Sequence, residues 1–141
     1  MSYDLNVYLS RQDMPAPAAW REAIIQAGFP VELDSEFDVD TFTGFLPSPV
    51  RGEMSGFEYY SREVAIDEIQ EMELKENFNF SVLFVIGSRP LELVSALSAA
   101  SVLASISNGI LVDPQSGESF SSGEVVTWTQ AQIAQINEHF T

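Results

Sequence analysis

Tyr3, Leu5, Val7 and Leu9 alternate with Asp4, Asn6 and Tyr8. That period of two predicts a strand over Tyr3–Leu9. Pro15 and Pro17 then open a helix over about Ala16–Ala27, with Trp20, Ile24 and Ala27 on one face and Gly28 in the residue position just past its end. From Val31 to about Phe45 the chain reads as extended, until Pro47, Pro49 and Gly52 break it. Gly56-Phe57-Glu58-Tyr59-Tyr60 predicts a short aromatic strand at a sheet edge. Residues 64–76 fit both periods, and a short helix through about Gln70 is the expectation there. Phe78–Ile86 is apolar on both faces, the pattern of a central strand covered on two sides, with Phe80, Val82, Phe84 and Ile86 facing one way. A helix follows over Pro90–Ser107, capped by Ser88 and closed by Asn108-Gly109 with Gly109 at positive φ. Ile110–Val112 is a brief strand, residues 113–117 a turn, and Ser122–His139 a last helix with Val126, Thr129, Ile133, Ile136 and Phe140 on its buried stripe.

The order of these elements predicts an α+β fold. Two βαβ units would form a mixed or antiparallel sheet with helices on one face, in a ferredoxin-like arrangement, plus an added C-terminal helix. The 141 residues fit a single domain spanning 1–141. No apolar run reaches the roughly 18 residues of a transmembrane helix. Asp4 stands where a secretory leader would be basic and then apolar, so a cytoplasmic location is expected. The chain has no cysteine, which removes disulfides, thiolate metal sites and a cysteine nucleophile.

Charge changes the picture most. Twenty-one acids face six bases, for a net charge of −15. Such a surface repels nucleic-acid phosphates and anionic membranes, so neither is an expected partner. Sixteen of the acids and five of the bases lie within residues 1–76. Within that half, Glu32, Asp34, Glu36, Asp38 and Asp40 put a carboxylate at every second position, and no base lies between Arg21 and Arg51. On an extended strand all five project to one solvent face, while Leu33, Phe37 and Val39 point inward. A solvated face normally mixes both signs of charge, because like charges repel. Five uncompensated acids therefore suggest a recognition surface for a basic partner. The adjoining Pro47–Tyr60 stretch, rich in aromatics, Met and Arg, carries the composition of a protein interface, and Tyr59 and Tyr60 are its candidate contact residues.

Catalytic and metal patterns are weaker. An EF-hand loop counted from Asp34 would place Val39 at its sixth position and Phe45 at its twelfth, so the motif fails and no metal site or cofactor is expected. Alternate carboxylates on a strand stand about 7 Å apart, too far for more than adjacent pairs to share an ion. The sole histidine, His139, lies two residues from the end of the sequence. A hydrolase would have to use paired carboxylates with a metal, which is the competing enzymatic reading. The small-residue run Ser95–Ser105 suits close helix packing, with a twofold homodimer seam as its alternative use.

Ser107-Asn108-Gly109-Ile110-Leu111-Val112-Asp113-Pro114-Gln115-Ser116-Gly117 resembles the corresponding piece of small uncharacterised bacterial α+β proteins, some of which look like cytosolic immunity proteins that neutralise toxins. The resemblance implies a binding role and carries no catalytic residue. Together these readings lead to the expectation of a non-enzymatic, acidic protein-binding module that neutralises or regulates a basic partner.

Overall fold

The computed structural model describes residues 3–140, with side chains through residue 136. Its elements are β1 (Tyr3–Leu9), α1 (Pro17–Gln26), β2 (Gly44–Pro47), β3 (Gly56–Glu63), α2 (Ile66–Glu71), β4 (Phe80–Ile86), α3 (Pro90–Ile106), β5 (Ile110–Asp113), β6 (Glu118–Ser121) and α4 (Val125–Phe140). The fold is α+β, and the strands form one six-stranded sheet in the order β2-β3-β4-β1-β5-β6. Every neighbouring pair is antiparallel.

This sheet is larger than the expected ferredoxin-like one, and its connections differ. β4 and β5 both run opposite to β1, so β4-α3-β5 is a split β-α-β unit with β1 between its strands. Three antiparallel steps separate β1 from β2, so those two strands run in opposite directions and β1-α1-β2 is not a βαβ unit. The helices do not all share a face. Trp20 and Ile24 of α1, most of α3, and Val125 and Ile133 of α4 enter the main core with Leu5, Val7, Leu9, Phe57, Tyr59, Val82, Phe84 and Ile86. Ile69 of α2 instead joins Tyr8, Val64 and Phe78 in a small cluster on the opposite face.

β4 is central as expected, lying between β3 and β1 with Phe80, Val82, Phe84 and Ile86 toward the main core, but it is not fully covered on two sides, since Leu83 and Val85 on its other face are half-exposed. α3 is buried continuously from Val94 to Ala104, and its small residues are what permit this. The Trp20 indole N–H donates to the Ala99 carbonyl at 3.0 Å. The Ser95 hydroxyl donates to the Ser48 carbonyl and lies 2.8 Å from the Ser55 hydroxyl. The small-residue run is thus consumed by packing within the chain and offers no free seam.

The expected strand over Val31–Phe45 is absent. Val31 makes one isolated bridge to Val50, and regular pairing begins only at Gly44. At the end of α3 it is Asn108, not Gly109, that adopts positive φ, at 54°. Ser88 does not cap α3; its N-cap is Arg89, whose N–H lies 3.4 Å from the Glu92 carboxylate. The aromatic strand β3 is covered on its outer side by β2 over Gly56–Tyr59, so it is second from the edge there. In α4 the buried stripe is Val125, Thr129 and Ile133, with Val126 and Ile136 half-buried, while His139 and Phe140 lie beyond the described side chains. No described helix is long and apolar enough to cross a membrane.

Candidate functional site

The acidic segment keeps its alternation without being a strand. Val31 and Leu33 are buried and Phe37 and Val39 half-buried, while Glu32, Glu36, Asp38 and Asp40 are exposed and Asp34 partly so. Residues 31–43 form an irregular ridge laid over the main-core face at β3. The Phe37 ring meets Tyr59 edge-on at 5.2 Å and Trp20 at 6.4 Å, and the Phe42 ring lies 6.1 Å from Tyr59. Two hydroxyls pin the middle of the ridge, because Tyr59 and Ser61 both donate to the Val39 carbonyl at 2.7 Å.

The carboxylates divide by role. Asp34 accepts the Glu36 N–H at 2.8 Å, and Asp38 accepts the N–H groups of Asp40 and Thr41, so both hold local turns of the kind short acidic side chains favour. Asp40 receives a two-pronged pair of hydrogen bonds from Arg11, at 2.9 and 2.7 Å. Those bonds hold the Asp40 carboxyl below the usual aspartate range and the Arg11 guanidinium above its own. Glu32 and Glu36 hold nothing in place through their side chains and point into solvent.

Tyr59 and Tyr60 separate. Adjacent strand residues face opposite ways, so Tyr59 is fully buried beneath the ridge while Tyr60 sits on the far face of the sheet. Burial raises the Tyr59 phenol, and its hydroxyl is spent on Val39. Tyr60 donates to Glu58 at 2.5 Å, and that bond raises its phenol. A partner resting on the ridge therefore meets Glu32, Asp34, Glu36 and Asp38, with Asp40 already bound to Arg11, and meets neither tyrosine. The strand alternation in Glu58-Tyr59-Tyr60 was the signal that would have separated the two.

Residues unremarked in the sequence complete the site. Arg11, the one base among the described residues that forms an ion pair with the ridge, also lies over the Phe80 ring at 5.4 Å, and its backbone N–H donates to the Asn79 side chain. With Asp40, Glu63 and Val64 these residues line a polar depression of about 390 Å3. Among the described residues no three acids or histidines gather to hold a metal ion. A second, more apolar groove of about 460 Å3 lies between α3 and α4, walled by Tyr3, Leu93, Leu97, Trp128 and Ile136. No protein-family model matches the chain, and no curated protein or solved structure matches it either.

Proposed function

We propose that the protein is a non-enzymatic binding module that engages a partner with a basic surface, in the manner of a protein that neutralises or regulates another, and that it acts in the cytoplasm. One observation carries this reading: an acid-rich ridge, fixed by two tyrosine- and serine-donated hydrogen bonds and an aromatic cluster, presents Glu32 and Glu36 to solvent with no structural task. A ridge already ordered loses little conformational entropy on binding. Its uncompensated charge accelerates encounter with a cationic surface and rejects acidic competitors.

Affinity capture from a lysate of the producing cells tests the reading, with wild type and Glu32→Gln/Glu36→Gln compared at low and high salt. The expected result is a basic protein retained by wild type at low salt, weakened at high salt, and weakened likewise by the double substitution. A captured partner that is indifferent to both salt and substitution overturns the ridge as the recognition surface. These two glutamates suit the test better than Asp34 or Asp38, whose oxygens hold turns.

A further inference from the structure

The side of the sheet away from α1, α3 and α4 is only half covered. The segment carrying α2 covers one end of it, packing Ile69 and Phe78 against Tyr8. The remaining half is fixed in register by the strand pairing. One cross-strand row reads Phe45, Glu58, Val85, Asp4, and the next reads Tyr60, Leu83, Asn6, Val112, Ser119. Phe45 is 47% exposed, and Tyr60, Leu83, Val85 and Val112 are each half-exposed, with Val112 at the margin where it packs against the α2 cluster.

The charges in the first row are both negative, while Arg62, which lines the adjoining groove with Tyr60 and Leu83, is paired with Glu68. Val85 pairs with Glu58 on one side and Asp4 on the other, so two carboxylates flank an aliphatic side chain, about 10 Å apart across two strand spacings. Neither carboxylate pairs with a cation among the described residues, whose two ion pairs are Arg11–Asp40 and Arg62–Glu68. Asp4 Oδ1 is moreover shielded from solvent and receives no hydrogen bond. No hydrogen bond therefore compensates that shielded oxygen, and a cation brought beside the carboxylate's other oxygen offsets the Asp4 charge. A second copy of this chain is a poor occupant, since each carries a net charge of −15.

We infer that this half-face is a docking surface for a basic, amphipathic segment of a partner protein, with an arginine or lysine lying over Val85 between Asp4 and Glu58 and apolar side chains on Leu83, Val112 and Tyr60. An arginine fits this arrangement well, because its aliphatic stem covers apolar surface while its head reaches carboxylates. The inference goes beyond the acidic ridge, which lies on the other side of β3, so either surface can fail without the other.

The test uses the full chain, isotopically labelled for NMR, titrated with the peptide acetyl-Arg-Val-Arg-Val-Arg-Val-amide and with acetyl-Arg-Ser-Arg-Ser-Arg-Ser-amide, which has equal charge but no apolar face. The expected result is shifts centred on Asn6, Leu83, Val85 and Val112. Binding of the valine peptide should be about tenfold tighter than that of the serine peptide. It should weaken about tenfold in Asp4→Asn/Glu58→Gln and change less than about twofold in Glu32→Gln/Glu36→Gln. Val85→Lys supplies its own cation between the two carboxylates and should abolish binding with the rest of the spectrum unchanged, which keeps the test decisive if the double variant folds poorly. Shifts confined to residues 32–40, equal binding of the two peptides, or undiminished binding by a folded Val85→Lys protein would each overturn the inference. The last two outcomes leave the ridge reading intact.

Discussion

Asn108 and Gly109 show how one residue's chemistry is set by its neighbours. The sequence Asn-Gly at a helix end predicts glycine in the left-handed position. Asn108 takes it instead, and the Gly109 N–H closes the helix on the Ala104 carbonyl at 2.9 Å. Gly109 is required for a different reason: a Cβ there would stand 2.6 Å from the Tyr8 carbonyl oxygen of β1. Gly109→Ala should therefore destabilise by about 1–3 kcal/mol through overpacking, read from the urea midpoint, and an unchanged midpoint would contradict the close approach. α2 ends on the same kind of turn, with Glu73 at φ 57° and the Leu74 N–H donating to the Ile69 carbonyl. A left-handed non-glycine residue costs roughly 1–2 kcal/mol. Glu73→Gly should thus stabilise by about 1 kcal/mol net of the glycine's greater unfolded-state freedom, and a fall in stability in the same urea series would refute the strain. Asp40 adds a pH dependence of known sign. Its folded value is depressed by Arg11, so its contribution is present above the ordinary aspartate value of about 3.9 and is lost as pH falls through the lower folded value. The pair is exposed, so the loss should be under about 1 kcal/mol, measured as the difference between wild type and Asp40→Asn in acid titrations of stability.

At the scale of elements, legibility followed from how many neighbours a segment needs. β1, β4, α1 and α3 carry their own patterns because each buries a complete face or circumference, and the structure places them close to the predicted positions. Gly28 likewise takes its expected left-handed position beyond α1. The acidic segment misled because alternation of exposure does not require a ladder. Asp34 and Asp38 supply the local hydrogen bonds that a partner strand would have supplied, and Phe37 and Phe42 anchor the same period onto the core. β6 was illegible for the opposite reason. Glu-Ser-Phe-Ser has little apolar pattern, and its pairing with β5 is imposed by the turn that Asp113 holds through the N–H groups of Gln115 and Ser116. Of the site, the ridge carboxylates were visible as spacing, but the Arg11–Asp40 link depends on how the irregular ridge lies beside the end of β1, and the Asp4–Val85–Glu58 row exists only through strand register. α4 packs on α3 with Thr129 fully buried and its hydroxyl without a partner, as is the Ser98 hydroxyl of α3. Thr129→Val keeps the shape and removes a stranded polar group, so it should stabilise by about 1 kcal/mol. A loss of thermal stability would mean the hydroxyl is hydrogen-bonded after all.

Across the whole molecule the acids act together, and the fold has placed most of them where water can reach them. With a net charge of −15 and two ion pairs among the described residues, the compact state works against its own repulsion, because unfolding spreads the charges apart. Screening acts on this directly, since the Debye length falls from about 30 Å at 0.01 M salt to about 3 Å at 1 M. The folded state should therefore gain stability as sodium chloride rises from 0.01 to about 0.5 M, opposite to the behaviour of a protein held by surface ion pairs. Neutralising Glu32 and Glu36 should reproduce part of that gain at low salt and reduce the further gain on adding salt, because these two glutamates repel their neighbours without holding any structure. Thermal melts of wild type and Glu32→Gln/Glu36→Gln across that salt series measure both quantities. Loss of stability in the double variant at every salt concentration would mean the glutamates are favourably paired, and the ridge would then be a structural feature instead of a charged surface held ready for a partner.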